Sequence, residues 1–349
     1  MKCLRASTAT VAAVSLLATG LLAGCGRGDN VDRVDRVDAS NVPRLRPHVR
    51  DASSGGPKVV QPTGPRSTFT TARTTGDDGT KIVKTRWHGK KSGFTGDIWA
   101  WVPPQYNDPR YAKSGFPVLI ALPGAYGYPN NYWIGGDFQL QEKVAEWSQE
   151  GKTLPFILVM PVLNPKKKYF DGSDIPGQPK MGTWLAEDVP DFARANFRTY
   201  ESRDGWAFMG SSSGGFAAMK TVLKYPNKFK AVIANGPDVA PDSPMWKGHP
   251  REKQANDPGW LARRLRSKGA PDIYMAFELG STEEAVPIVK KFMRDHTGGP
   301  LHTTLFEIPN GRHSGHTYIL KMADSLHWIS EKMLGPVPAA LPNTSRPES

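Results

Sequence analysis

The apolar positions of this chain fall into short continuous runs separated by amphipathic ones. "FPVLIAL" (116–122), "PFILVMPVL" (155–163), "GWAFM" (205–209), "FKAVIAN" (229–235), "DIYMAFEL" (272–279) and "HTTLFEI" (302–308) have the length of buried strands. Between them, "FQLQEKVAEWSQE" (138–150), "WLAEDVPDFARANF" (184–197), "GGFAAMKTVLKYP" (214–226), "PGWLARRLRSKG" (258–269), "VPIVKKFMRD" (286–295) and "YILKMADSLHWISEKM" (318–333) space their apolar residues as helices do. "KIVKTRWH" and "GDIWAWV" add two strands ahead of this series. A strand that is apolar along its whole length must be covered on both faces. The alternation therefore predicts an α/β fold with a mostly parallel central sheet and helices on either side.

The ends of the chain lack such patterning. From Gly26 to about Arg66 there is only a polar repeat, "VDRVDRVD", followed by "SSGGP" and "QPTGPR". Such composition cannot build a core, and it predicts a disordered tether over 25–66. The Pro-rich end predicts a disordered tail over 337–349. What remains, 67–336, is the predicted folded domain. Ahead of the tether, Lys2 and Arg5 precede an apolar stretch of small residues that ends in "LLAGC". This is a signal-peptide pattern over 1–24, and its end resembles the bacterial lipobox, in which Cys25 is acylated and becomes the mature N-terminus. The expected location is extracytoplasmic, lipid-anchored to the bacterial cell membrane. The other cysteine, Cys3, lies in the removed segment, so no disulfide or cysteine metal site is expected.

Composition adds one constraint. The formal charge is +12, which suits a basic solvated surface facing anionic headgroups or wall polymers. Basic residues are not interleaved with stacking aromatics in a stripe, and no nucleic-acid motif occurs, so nucleic acid is not an expected partner.

The chemistry concentrates at "FMGSSSGGF" (208–216), which holds three consecutive serines. Gly210-Ser211-Ser212-Ser213-Gly214 fits G-x-S-x-G between a buried strand and a helix, the nucleophile elbow of α/β-hydrolases. The tight turn needs glycine two residues to either side of the nucleophile, and only Ser212 has both. A serine hydroxyl needs a base, and the base needs a carboxylate to orient it. In this fold both follow later strands. His313 sits in the loop after "HTTLFEI", with His316 as its rival near the last helix. A metal pair of the two histidines lacks an evident third ligand. The acid is expected in "GSTEE" after "DIYMAFEL", as Glu283 or Glu284, with Glu278 inside the strand a poorer candidate. One of the two glutamates can instead compensate the helix dipole. The oxyanion hole needs two backbone N–H groups: Ser213, next to the nucleophile, and Ala125, in the loop "PGAYGYPNNYW" where Gly124 permits close approach. Tyr126, Tyr128, Tyr132 and Trp133 of that loop either line a substrate pocket or simply pack.

"VLIALPGAYG", "TWLAEDVPDFARANFRTY", "MGSSSGGFAAM", "YPNKFKAVIANGP" and "IPNGRHSGHTY" follow one another in an order and spacing that resembles the putative-esterase family of α/β-hydrolases, over about Gly96 to Met333. That family groups esterase D, enterochelin esterases, feruloyl esterase modules and mycobacterial mycolyltransferases. The resemblance implies an α/β-hydrolase fold, no cofactor, a small-molecule or glycan ester as substrate, and acyl hydrolysis or transfer by Ser212, His313 and a glutamate of "GSTEE". The mycolyltransferases would place the acid at Glu284. They carry arginine where Tyr126 stands and tryptophan where Gly315 stands, so trehalose transfer is not what these residues predict. Three functions follow: an ester hydrolase at the outer membrane face, an acyltransferase to an envelope sugar or alcohol, and a non-catalytic binding protein on the same scaffold. Retention of all three triad residue types favours an enzyme. The sequence does not define the oligomeric state.

Overall fold

The computed structural model describes residues 39–46, 57–76 and 79–339. The expected signal peptide, Cys25 and the last ten residues lie outside these. Among the described residues no helix is long and apolar enough to cross a membrane.

The strands are β1 (Val59–Val60), β2 (Thr70–Thr74), β3 (Lys81–His88), β4 (Thr95–Trp101), β5 (Val118–Leu122), β6 (Ile157–Pro161), β7 (Thr199–Tyr200), β8 (Trp206–Ser211), β9 (Ala231–Asn235), β10 (Ile273–Gly280) and β11 (Leu301–Ile308). A nine-stranded sheet runs in the order β11-β10-β9-β8-β5-β6-β4-β3-β2. From β6 to β11 its neighbours pair in parallel. β4, β3 and β2 close the other end as an antiparallel meander. The continuous apolar runs become strands buried at every position in β5, β6, β8 and β9. The meander faces water in part, and β3 alternates more polar positions into its pattern. Each fully buried Val, Leu or Ile contributes roughly 1.5–3 kcal/mol from removing its surface from water. The parallel core therefore dominates the stability of the sheet.

The strand order reverses at β5. The chain goes from β5 to β6 on one side, and later returns to lay β8 on the other. Loops leaving adjacent strands toward opposite faces open a crevice at their carboxyl ends. The loop after β5 and the turn after β8 meet there, with Leu122 and Gly210 in register across the two strands.

Two expectations of order differ from the structure. The segment assigned to the tether is docked from residue 57: β1 pairs antiparallel with β7, and the amides of Thr63 and Gly64 donate to Arg194 and Ala195. Further upstream, Ala39 and Val42 are buried and the Leu45 amide donates to Gly151. The segment satisfies backbone groups at the rim of the domain, which requires no apolar periodicity. At the other end Val337 and Ala339 are held by Ser114 and Arg110, so the chain is ordered past the expected start of the tail. The helix expected over 184–197 is also divided. A π-helical stretch, Trp184–Asp188, precedes an α-helix, Val189–Asn196. Pro190 has no N–H to offer the preceding turn. The Asp188 carboxylate meanwhile accepts the amides of Lys91 and Ser92, pinning the turn between β3 and β4.

Candidate active site

The turn after β8 is built by exclusion. Ser212 has φ 55° and ψ −122°, a region costing a non-glycine residue about 1–3 kcal/mol. Its two flanking glycines have no room for a side chain. A Cβ on Gly210 would strike the Gly214 carbonyl, and one on Gly214 would lie 2.8 Å from Leu122 O and closer still to Pro123 O. The turn is thus wedged between the helix it starts, Ser213–Lys224, and the end of β5. It is tied from the other side by the Ser212 amide, which donates to Asn235 O at 2.8 Å. Of the three serines, Ser211 is buried in β8 and Ser213 begins the helix, which leaves Ser212 at the apex of the turn.

The helix is drawn to the loop after β6 by a buried ammonium. Lys220 Nζ donates to Asp171 O at 3.0 Å, to Ser173 Oγ at 2.9 Å and to Gly172 O. Three oxygens accept its hydrogens, while burial still pulls its pKa down from 10.5 to about 7.

The loop after β5 approaches the elbow through Gly124, where a Cβ would stand 3.1 Å from Ser211 O and 3.3 Å from Ser212 Cβ. Ala125 follows with φ 53°, left-handed and rare for alanine. Its carbonyl accepts from Ser213 Oγ at 2.6 Å, which clamps the loop to the start of the helix. Ser213 is the first helical residue, so its amide has no intrahelical acceptor. Among the described residues, the Ala125 amide also has none. Of the four aromatics, Trp133 is buried with Nε1 bonded to Leu122 O at 2.9 Å. The half-buried Tyr132 phenol meets the Ser211 side chain and the Gly124 backbone. Those two pack. Tyr126 and Tyr128 are about two-fifths exposed, and Tyr126 lies against the Tyr169 ring at 5.0 Å.

The structure brings His313 and Glu283 together: His313 Nδ1 stands 2.7 Å from Glu283 Oε2. Glu283 is buried, and its other oxygen accepts the Gly280 amide at 2.6 Å. The hydrogen bond to Glu283 pushes the imidazole pKa above its ordinary 6.5, against the opposing effect of burial, with Coulombic help from Glu283 and Asp238. Glu284 is the exposed N-cap of the helix Ala285–His296 and makes no contact with His313. His316 packs its ring against Phe138 at 4.9 Å. Glu278 lies inside β10, wholly buried, bonded to Ser325; burial pushes its carboxyl up to about 8. Among the described residues, no group of three or more His, Cys, Asp and Glu could hold a metal ion.

Gly236 links the elbow to this pair. It follows Asn235, whose carbonyl holds the Ser212 amide, and it has φ +49°. A Cβ there would fall 2.6 Å from Glu283 Oε2 and 2.8 Å from His313 Nδ1. Two further residues reach the pair and were given no role by sequence reasoning. Tyr318 touches both Glu283 and His313. Asp238, two residues past Gly236, acts on His313 through its charge, its own carboxyl pushed up by burial and by Asp242. Tyr318 ends the quoted motif "IPNGRHSGHTY" and Asp238 lies one residue past "YPNKFKAVIANGP", but only the folded chain brings them to the imidazole.

This fold and this elbow define an α/β-hydrolase. The model of the family described as putative esterase matches residues 100–294, more than half of the chain, and the chain belongs to that family. An uncharacterized protein of Corynebacterium glutamicum is 22% identical over 257 residues, 69% of this chain and 58% of the relative, so the match spans little more than half of that longer protein. Among solved structures, a ferulic acid esterase superposes with TM-score 0.58 at 18% identity, covering 73% of this chain and 99% of its own. An S-formylglutathione hydrolase from Agrobacterium tumefaciens gives 0.57 at 19%, covering 76% and 98%. A fluorophosphonate-binding serine hydrolase of Staphylococcus aureus gives 0.58 at 12%, covering 72% and 98%. At these identities the likeness is one of fold.

Proposed function

We propose that the protein is a serine carboxylic-ester hydrolase that works through an acyl-enzyme. The observation that carries this reading is the strained Ser212, set beside Gly236 and the Glu283–His313 hydrogen bond. Family membership and the serine-hydrolase scaffolds of the same fold support it.

In this reading Ser212 Oγ attacks the ester carbonyl carbon while His313 Nε2 accepts the hydroxyl proton. Glu283 holds the proton on Nδ1 and stabilises the imidazolium that forms. The amides of Ser213 and Ala125 receive the developing oxyanion. Collapse of the tetrahedral intermediate expels the alcohol, which takes the proton from His313. Water then attacks the acyl-Ser212 ester, His313 again accepting a proton, and the free acid leaves with Ser212 restored. Glu284, exposed at the helix start, compensates the helix dipole. Tyr126 and Tyr128 are the open aromatic faces of the loop after β5, available to the substrate beside the elbow.

In the same reading Cys25 is the lipidation site and the enzyme acts at the outer face of the membrane on small-molecule or glycan esters; the lipobox-like "LAGC" supports the anchor. Two measurements test the proposal. Hydrolysis of p-nitrophenyl esters of graded chain length should be present in the wild type and absent in Ser212→Ala. Mass spectrometry of the mature N-terminus in the native host should find diacylglycerol on Cys25; an unmodified terminus elsewhere refutes the anchor and leaves the catalytic reading intact.

A further inference from the structure

Glu283 Oε2 receives more than the imidazole. The Tyr318 hydroxyl lies 3.0 Å from Oε2 and 2.9 Å from His313 Nδ1, closing a triangle with the 2.7 Å bond between those two atoms. Tyr318 is fully buried on the short helix Gly315–Tyr318, and its ring meets the imidazole edge-on at 6.0 Å and 88°. The approach is possible because residue 236 is glycine: a Cβ there would overlap the phenol oxygen.

The protons in this triangle can be assigned. An ionised carboxylate oxygen only accepts, so the atom 2.7 Å away must carry hydrogen, and the imidazole is protonated on Nδ1. The phenol O–H then finds no lone pair on Nδ1 and has Oε2 as its acceptor. This leaves Nε2 unprotonated in the neutral ring. Glu283 thus accepts from Gly280 N–H on Oε1 and from both His313 and Tyr318 on Oε2, which fixes the plane of the carboxylate.

We propose that Tyr318 is a positioning residue of the acid–base pair, holding Glu283 in the plane that orients His313 and sharing the acceptor capacity of Oε2 with the imidazole. The groups that face the pair are few. Asp238 acts on His313 from the loop after β9, while Tyr132 and Glu278 act on Tyr318 from the loop after β5 and from β10. Burial holds the phenol protonated well above any working pH, so Tyr318 donates throughout. A donor withdrawn from a carboxylate leaves it a stronger acceptor for its remaining partner. Removing the phenol should therefore strengthen the Nδ1–H···Oε2 bond and raise the pH at which the imidazole loses its proton.

The inference rests on the proposed triad, so titration of the wild type with a serine-directed phosphonate comes first and decides that reading alone. With the triad established, Tyr318→Phe is assayed on p-nitrophenyl butyrate. The expected result is a fall in kcat on the order of tenfold, KM unchanged, and an acid limb of kcat/KM displaced upward by about half a pH unit. In the Glu283→Gln background the same change should cost less than about twofold, since the group it acts through is gone. A 3-fluorotyrosine at 318 keeps the ring and hydroxyl and donates more strongly, so its limb should move downward. If Tyr318→Phe does not fold, the fluorotyrosine enzyme decides alone. Wild-type limbs in the variants that fold, or an equal cost of Tyr318→Phe with and without Glu283, would overturn the proposal and leave Tyr318 a packing residue.

Discussion

The two arms of the candidate site are held by different means. The Ser212 arm is fixed by main-chain sterics: glycines at 210 and 214 admit no Cβ, and a strained serine sits between a strand and the helix that follows it. The His313 arm is fixed by hydrogen bonds: Glu283, in the turn after β10, accepts from the Gly280 amide, from His313 in the loop after β11 and from Tyr318 on the short helix that follows. The first arm resists any added atom. The second resists loss of a polar partner. One arm is a shape and the other a network, so they should fail differently when altered.

Breaking the chemistry of either arm should give the largest effects. Ser212→Ala should abolish ester hydrolysis while the melting temperature stays near that of the wild type, because an elbow side chain contributes little packing. His313→Ala should lower kcat by roughly 10⁴–10⁶, whereas His316→Ala, which removes a ring stacked on Phe138, should stay within about tenfold. Equal inactivity of the two folded histidine variants would mean that the base is not His313 alone.

The acid sharpens the contrast. Glu283→Gln should cost on the order of 10⁴ in kcat, as expected when the carboxylate that fixes the tautomer is neutralised. Glu284→Gln, at an exposed helix start, should change turnover less than about twofold. The reverse ranking would move the acid to Glu284. The steric arm is probed by Gly214→Ala, which should lower the melting temperature and activity together, since a Cβ must displace backbone at the end of β5.

The pH dependence follows from two shifts of known sign. His313 must be neutral to accept a proton, and its pKa lies above the ordinary value, chiefly through its hydrogen bond to Glu283. The acid limb of kcat/KM should therefore fall above pH 6.5 and drop in Glu283→Gln. A limb in Glu283→Gln at or above that of the wild type would contradict the pairing. Glu278 acts on stability instead. Its carboxyl is raised to about 8 by burial in the folded chain, against an ordinary 4.5. Between those values the native state holds the proton that the unfolded state has released, so this group makes stability fall as pH rises. Glu278→Gln should remove that dependence, so that its melting temperature changes less between pH 5 and pH 8 than that of the wild type.

The same contrast explains what the sequence could disclose. G-x-S-x-G is a local demand of the backbone, and a strand before it with a helix after it makes Ser212 readable from neighbours alone. The continuous apolar runs of β5, β6, β8 and β9 likewise reflect burial on both faces. Glu283 and Glu284 could not be separated, because both stand in "GSTEE" and only the close approach of Gly236 and the loop of His313 selects one of them. Tyr318 and Asp238 were illegible for the same reason: their significance lies in how the segments after β9, β10 and β11 come together around His313. β1 and the docked segment before it had no apolar periodicity because they are held chiefly by backbone bonds, with only Ala39 and Val42 buried as isolated apolar side chains.

The most direct test of the central claim is labelling with a fluorophosphonate followed by peptide mapping. The account predicts one adduct per chain, on Ser212 and on neither Ser211 nor Ser213, formed slowly or not at all in His313→Ala. No adduct on the folded wild-type protein, or an adduct on another serine, would contradict it.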